Sequence, residues 1–241
     1  MLHSEVKKPL TLAIDIGGSG LKMLVLDSQG QPVTERTRRD TPRPALPGAV
    51  LMAIESQLNE HGKFDRISVG FPGVVVDGVT MSAHNLHKYW QGFDLAHDIS
   101  QRTSVPVRVV NDADMQGYGV ISGQGVELVL TLGTGFGSAL FIDGTLVPNL
   151  ELGHHIFKND KTYEQLLGQS ARKQSGNKKW RKRLLEAITQ LDALFNPRVI
   201  YIGGGNAKKI NCPLPEHVEI THNIAGILGG IKLWADKSNS P

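Results

Sequence analysis

The chain has 241 residues, which is enough for one large domain or two small ones with a substantial core. Its 26 Lys and Arg against 23 Asp and Glu give a formal net charge of +3, too small to indicate nucleic-acid binding by itself. The single cysteine, Cys212, excludes an intrachain disulfide, and no apolar run approaches the length of a membrane span. We therefore expect a cytoplasmic protein with no membrane partner.

The first half of the chain predicts a mixed sheet interrupted by helices. Residues 10–16 and 21–27 alternate like strands around a glycine turn, and a third strand expected at 32–38 completes an antiparallel opening. Helical periodicity and capping residues then alternate with short apolar runs. They predict helices at 49–60 and 94–102, strands at 67–71 and 105–110, and a helix that begins near Asn111.

The second half begins the same pattern again. Strands are expected at 126–132 and 138–142 around a second glycine turn, helices at 162–174 and 178–195, and a strand at 199–202. The last apolar stretch, 223–234, predicts a helix of small residues, which fits packing within the chain or a homodimer interface. The repeated pattern predicts two α/β halves with a ligand cleft between them.

Two glycine-rich turns carry the strongest chemical signal. Because glycine has no side chain, such a turn can direct several backbone N–H groups at one anion. Neither turn has the spacing of a Walker nucleotide loop or a dinucleotide fingerprint, and either alone fits an ordinary hairpin. Together they predict a cradle for a chain of phosphates. The candidate phosphate contacts are Gly17, Gly18, Ser19, Gly20 and Lys22 in the first turn and Thr131, Gly133, Thr134 and Gly135 in the second, with Asp15 as candidate metal carboxylate.

Two carboxylates follow the strand that ends near Val110, in the segment Asn111-Asp112-Ala113-Asp114. An Asn or Asp at a helix start caps free N–H groups, which is worth about 1 kcal/mol and explains one of these residues. Two carboxylates exceed what capping needs. A carboxylate at a strand end beside a phosphate cradle is placed to accept a proton from a substrate hydroxyl.

Glu151 and His154 lie just beyond the second turn. The segment is weak as a metal motif, because the adjacent histidines point in different directions and no cysteine or further histidine follows at ligand spacing. Surface histidines would account for it. A glutamate with a histidine three residues on also supplies acceptors and a donor for neighbouring hydroxyls of a polyol.

Through these residues the chain resembles the ROK family of sugar kinases, and within it the polyphosphate-dependent glucokinases. The matching motifs occur in the same order as in the family and span roughly residues 10 to 235. It rests on the segments Asp15–Lys22, Gly70–Val75, Asn85–Leu86, Trp90–Leu95, Asn111–Asp114, Thr131–Ser138, Val147–His154, Phe195–Pro197 and Gly203–Gly205.

The resemblance implies an α/β protein with the actin-like, ribonuclease H-like fold. Each of its two domains would have a mixed β-sheet with flanking helices, and the ligand would bind in the cleft between them. Residues 1–111 together with a returning segment at 223–241 would form the first domain, and residues 112–222 would form the second.

The resemblance also implies roles for particular residues. Asp112 would be the catalytic base on the 6-hydroxyl of a hexose, most simply glucose, and Asp15 would hold Mg²⁺ directly or through water. The two glycine turns would hold the donor phosphates of ATP or polyphosphate. Asn85, Asn111, Asp112, Glu151 and His154 would bind the sugar, and Gly203, Gly204 and Gly205 match the segment that approaches adenosine in ATP-using relatives.

The chain departs from the family pattern in one respect and leaves one alternative open. Many ROK proteins carry a cysteine-rich zinc motif after the glutamate-histidine segment, whereas Phe157–Asp160 contains no cysteine, so we expect no structural zinc. No DNA-binding helix-turn-helix is expected before Pro9, which disfavours the repressor branch. A non-catalytic sugar sensor that uses the same cleft remains the alternative to a kinase.

A basic segment, Arg172–Arg183, concentrates positive charge in a chain that is otherwise nearly balanced. A solvated helix surface would explain it, and a track for a polyanion is the sharper hypothesis. Long polyphosphate would favour such a track, whereas ATP would not require it. Polyphosphate is therefore the predicted donor, beside or instead of ATP, and nucleic acid is the weaker candidate for this segment.

Overall fold

The computed structural model describes residues 8–83, 86–221 and 228–235, and the chain divides into two compact units. The first unit takes in the chain up to Met115 together with the described C-terminal residues, and the second begins at Gln116. Within the described residues, no helix combines the length and the apolar character needed to cross a bilayer.

The first unit is built on a five-stranded sheet with the order β3-β2-β1-β4-β8. A small three-stranded sheet, β5-β6-β7, lies in the same unit. The elements are β1 Thr11–Ile16, β2 Leu21–Leu26, β3 Thr37–Arg39, α1 Pro47–Leu58, β4 Arg66–Phe71, β5 Val75–Val76, β6 Val79–Thr80, β7 Phe93–Asp94, α2 Leu95–Thr103, β8 Val107–Asn111 and α3 Asp112–Tyr118. The end of α3, from Gln116 on, belongs to the second unit.

The second unit has a five-stranded sheet with the order β11-β10-β9-β14-β15 and a two-stranded sheet, β12-β13. The long helix α5 packs on the larger sheet through Trp180, Leu184 and Ile188, which are almost completely buried. The elements are β9 Val126–Leu132, β10 Phe136–Ile142, β11 Thr145–Val147, β12 Ile156–Lys158, β13 Lys161–Thr162, α4 Tyr163–Leu167, α5 Gln169–Phe195, β14 Val199–Gly203 and β15 Val218–Ile220.

The two large sheets repeat one topology. In each, three antiparallel strands are followed by two strands that are parallel to the central one. Each glycine turn joins the central strand to its antiparallel neighbour, so the first turn links β1 to β2 and the second links β9 to β10. The predicted repeat of a mixed α/β half is therefore confirmed.

Several elements differ from the sequence prediction. The third strand covers 37–39 instead of 32–38, because Pro32 has no N–H for the ladder and the backbone N–H of Val25 donates instead to Thr34 Oγ1 at 3.1 Å. The helix expected at 162–174 is divided at Gly168, where the backbone is extended, into α4 and the start of α5. The predicted gap that follows it corresponds to a break within α5 at Gly176, where φ is 74° and ψ is 157°. The short strands β5, β6, β7, β12, β13 and β15 were not predicted.

The C-terminal residues 228–235 pack against the first sheet. Leu228 and Ile231 cover the face of the sheet that carries Ala13, and two guanidinium groups lie over the Trp234 ring. These belong to Arg66 and Arg108, at 4.9 and 4.7 Å from the ring centroid. The predicted helix at 223–234 lies partly outside the described residues, and its described end contains a 3₁₀ turn at Lys232–Trp234.

A buried histidine should make the stability of the first unit depend on pH. His61 lies between two hydroxyls, with Nδ1 3.1 Å from Thr34 Oγ1 and Nε2 2.9 Å from Thr37 Oγ1. Burial lowers the pKa of His61, and the neighbouring Glu60 opposes this effect. Below pH of about 6.5, where a histidine in the unfolded chain gains its proton, the unfolded state binds more protons than the folded state.

We predict that the free energy of unfolding falls as the pH is lowered through about 6.5 toward the lower pKa of folded His61, by about 1.4 kcal/mol for each unit of the pKa difference. Urea unfolding between pH 5 and 8 measures this slope. The slope should be smaller in His61→Asn and unchanged in His97→Asn, because His97 is exposed. Equal slopes in the wild type and His61→Asn would contradict the prediction.

Candidate functional site

The first glycine turn is closed by its own backbone. The N–H of Gly17 donates to the carbonyl of Gly20 at 3.0 Å, and the carbonyl of Gly17 accepts from Thr41 Oγ1 at 2.5 Å. A Cβ at position 17 would lie 2.9 Å from the Gly20 carbonyl oxygen. Glycine is needed there for this close approach of backbone atoms, while Gly18 and Ser19 at the tip are exposed.

Three charged residues lie in one row beside this turn. Asp15 pairs with Lys22 across β1 and β2, and Lys22 pairs with Arg38 across β2 and β3. Directly paired residues share a face of the sheet, and Lys22 Nζ lies 2.7 Å from Asp15 Oδ2. The Arg38 guanidinium donates to the Ser19 carbonyl at 3.2 Å, and a Cβ at Gly20 would lie 2.9 Å from its Nη2. Arg38 was not among the predicted residues, although the basic composition of the third strand was a signal.

Asp112 is the first residue of α3 and directly follows β8. Asp15, Gly70 and Val110 form one row across β1, β4 and β8, so Asp15 lies about 10 Å from Val110 at the usual strand spacing. A Cβ at Gly70 would lie 3.4 Å from the Cα of Asp112 and 2.9 Å from Met115 Cε. Gly70 therefore lets α3 begin close against β4, which fixes the half-buried Asp112 at the same sheet edge as Asp15.

Asn111 has the capping role that the sequence suggested for one residue of its segment. Its Oδ1 accepts from the backbone N–H groups of Ala113 at 2.8 Å and Asp114 at 3.3 Å, and its Nδ2 donates to the carbonyl of Gly73 at 3.2 Å. Capping of α3 therefore does not require the Asp112 carboxylate. The predicted sugar contact of Asn111 stays a prediction, and Asn85 lies outside the described residues.

Glu151 and His154 form a pair in the second unit. Glu151 precedes a 3₁₀ turn at Leu152–His154, and its Oε2 lies 3.4 Å from His154 Nε2. Ser138, at the end of the second glycine segment, holds this turn. Its Oγ donates to the Leu150 carbonyl and accepts from the Leu152 N–H at 3.2 Å. Both side chains are partly exposed, as contact with a polar ligand requires.

The second glycine turn lies against a carboxylate that the sequence analysis missed. The N–H of Gly133 donates to the Gly135 carbonyl at 3.1 Å, and the N–H of Phe136 donates to Glu164 Oε2 at 3.2 Å. A Cβ at Gly135 would collide with the Glu164 carboxylate. The only sequence signal for this approach was the absence of a side chain at position 135.

Asn206 joins three of the predicted segments within the second unit. Its backbone N–H donates to the Leu132 carbonyl at 2.8 Å, and its Nδ2 donates to the Gly133 carbonyl at 2.9 Å. Its Oδ1 accepts from Arg172 Nε at 3.1 Å. The glycines at 203–205, the second turn and the start of the basic segment therefore lie together, and Asn206 itself was not predicted from the sequence.

Comparisons with known proteins agree with this arrangement. The chain is 34% identical over 233 residues to a polyphosphate glucokinase of Mycobacterium tuberculosis, an alignment that covers 90% of this chain and 88% of the relative. It is 33% identical, with a TM-score of 0.83, to the crystal structure of an inorganic polyphosphate/ATP-glucomannokinase from Arthrobacter, covering 94% of this chain and 98% of that one.

A more distant structure shares the fold. A ROK family glucokinase from Streptomyces griseus, solved in complex with glucose and AMPPNP, is 20% identical with a TM-score of 0.75 and covers 93% of this chain and 98% of that one. These likenesses confirm the predicted actin-like fold class. Because the model of the ROK family also matches residues 11–168, the chain belongs to the ROK family.

Proposed function

We propose that the chain is a sugar kinase that transfers a phosphoryl group from polyphosphate or ATP to the 6-hydroxyl of glucose. The named activities of the polyphosphate glucokinase and of the polyphosphate/ATP-glucomannokinase support both the acceptor and the donors. The observation in the structure that carries the proposal is the position of Asp112, which begins α3 at the sheet edge that also holds Asp15 and leads into the first glycine turn.

Asp112 is the proposed general base. Phosphoryl transfer needs little covalent chemistry from the protein, and its rate depends on alignment of the acceptor and on stabilisation of charge. The Asp112 carboxylate would accept the proton of the 6-hydroxyl as the oxygen attacks the terminal phosphorus. Lys22 and the backbone N–H groups of the two glycine turns would stabilise the charge on the donor oxygens.

Asp15 is the proposed residue for Mg²⁺. Magnesium in proteins is held by one or two carboxylates, with substrate phosphates and water completing its coordination. Within the described residues, no three His, Cys, Asp or Glu side chains converge on one position, and Asp15 is a partly buried carboxylate beside a phosphate turn. This donor set fits Mg²⁺ that arrives with the donor, and the ion would neutralise charge on the donor phosphates.

Glu151 and His154 are the proposed contacts to the sugar hydroxyls, together with Asn111 and Asn85. The paired carboxylate and imidazole supply an acceptor and a donor 3.4 Å apart, which suits two neighbouring hydroxyls. The glycines at 203–205 are proposed to approach adenosine when ATP is the donor. We propose that the protein acts in the cytoplasm.

A matrix of donors and sugars tests the function. We predict that the purified protein forms glucose 6-phosphate in a coupled assay with nucleotide-free polyphosphate as the donor. Activity with ATP alone would contradict the polyphosphate proposal. Glucose binding in calorimetry, without turnover from either donor, would instead support the sensor alternative. Comparing the rates with mannose and with glucose identifies the acceptor.

A further inference from the structure

The basic residues on and beside α5 are distributed unevenly. Those on one side of the helix form a line of positive charge that starts next to the second glycine turn. We propose that this side binds the part of a linear polyphosphate that extends beyond the phosphates held by the turn. The inference rests on the proposed kinase function and adds a donor subsite that selects for chain length. We name this surface the basic row, and its residues are Arg172, Lys178, Arg181, Lys208 and Lys209.

The row starts at the second turn through Asn206. This side chain is about 95% buried, since its exposed fraction is 5%. It donates to the Gly133 carbonyl at 2.9 Å and accepts from Arg172 Nε at 3.1 Å. A buried amide with both ends bonded holds its partners firmly. The Arg172 guanidinium is therefore fixed at a short distance from the proposed donor phosphates.

The row then crosses the break in α5. Arg172 Nη1 donates to Asn177 Oδ1 at 2.9 Å, so the side chains on either side of Gly176 are tied together. Asn177 and Arg181 are four residues apart and share a helix face about 6 Å further along the axis. Lys178 lies three residues before Arg181 and borders the same face.

The row ends on the 3₁₀ turn that follows Asn206. Arg181 Nη1 lies 3.4 Å from the Lys209 carbonyl oxygen, which brings the turn at Ala207–Lys209 beside α5. The Lys208 and Lys209 side chains are exposed on this turn. The path from the second glycine turn to these two lysines therefore remains within one unit of the protein.

Within the described residues, the cations of the row have no acidic partner. Arg172 donates to two amide oxygens and Arg181 to a backbone carbonyl, all of them uncharged. A row of uncompensated cations raises the local concentration of polyanions.

Other cations of α5 lie in a different environment. Lys182 and Arg183 lie near Glu186, whose pKa is lowered first by its hydrogen bond with Lys158 and further by these two cations. Lys179 also stands about 160° from Arg181 on the helix circumference at 100° per residue, whereas Lys182 lies four residues from Lys178 and borders the row. The cations of α5 therefore face more than one way, and the basic row is the part that Asn206 links to the second glycine turn.

The chemistry of the row fits an inorganic polyphosphate better than a nucleic acid. Single strands are bound by cations together with exposed aromatic rings on which the bases stack. Trp180, the aromatic residue of this segment, is completely buried in the core. The row offers only cations and amides, which match a uniform chain of phosphates.

The test compares two triple variants that remove the same charge. Lys178→Ala/Lys208→Ala/Lys209→Ala removes lysines of the row, and Lys63→Ala/Lys161→Ala/Lys179→Ala is the control on exposed lysines elsewhere. For the row variant we expect the KM for polyphosphate of about 100 phosphates to rise at least about tenfold and to depend less on salt. The KM values for ATP and glucose, and every constant of the control, should stay within about twofold of the wild type.

Equal melting temperatures of the three proteins would exclude a folding defect as the cause of a KM change. The proposal is overturned if both triples change the KM for polyphosphate equally, if neither does, or if the row variant loses affinity for ATP to the same extent. Salt-dependent binding of duplex DNA that disappears in the row variant alone would assign the row to nucleic acid instead. A wild-type protein that is active only with ATP would refute the proposal that polyphosphate is a donor, and with it the proposed role of the basic row.

Discussion

Replacing Asp112 by asparagine should lower kcat for hexose phosphorylation by at least about 100-fold, because a positioned general base contributes about 10²- to 10⁴-fold to such reactions. Asparagine keeps the size of the side chain and still accepts a hydrogen bond, but it cannot take the proton of the 6-hydroxyl. The helix start should survive the change, since Asn111 caps α3 through Ala113 and Asp114.

Initial rates with saturating glucose measure the loss, and calorimetry measures glucose binding by the variant. Asp94→Asn is a matched control, because Asp94 also precedes a helix of the first unit and caps α2 through the N–H of His97 at 2.9 Å. Asparagine caps helices as well as aspartate, so this control should keep full activity. Unchanged turnover in Asp112→Asn would remove Asp112 from the role of base.

The sequence predicted those parts of the fold that depend on local pattern. Strand alternation on both sides of a glycine turn marked the first hairpin of each sheet, and the break at Gly176 was visible as an interruption of helical periodicity. The third strand was predicted too long because ladder pairing depends on backbone donors, and Pro32 lacks one. Strand β15 has only three residues, too few for a periodic signal.

The candidate site was predictable where its residues adjoin a turn or a strand end. Residues that reach the site by tertiary packing were missed. Glu164 lies 28 residues from its partner Phe136, and Asn206 lies 73 residues from Gly133. Arg38 approaches the first turn only because β3 pairs with β2 in one particular register. The spacing of residues along the chain does not reveal such contacts, because they depend on which strands become neighbours in the sheet.

Substituting Gly204 by alanine should destabilise the second unit and weaken the binding of both donors. Gly204 has a φ of +87°, a region that costs an L-residue about 1–2 kcal/mol, and a Cβ there would overlap the backbone of Leu132. Overpacking against backbone adds about 1–3 kcal/mol. The expected loss is therefore about 2–5 kcal/mol, or roughly 5–15 °C in apparent melting temperature. Leu132 directly precedes the second turn, so a shift of the Leu132 backbone that relieves the overlap also displaces Gly133.

Gly205→Ala is the matched control, because a Cβ at position 205 meets no atom within 4 Å. Its melting temperature should stay within about 2 °C of the wild type, as for other exposed substitutions. If the glycines approach adenosine, Gly205→Ala raises the KM for ATP and leaves the KM for polyphosphate unchanged, since polyphosphate has no nucleoside. A Gly204→Ala protein with wild-type melting temperature and donor constants would show that β9 and β14 do not hold the second turn. The pair of variants thus separates a role of this glycine segment in folding from a role in nucleotide recognition.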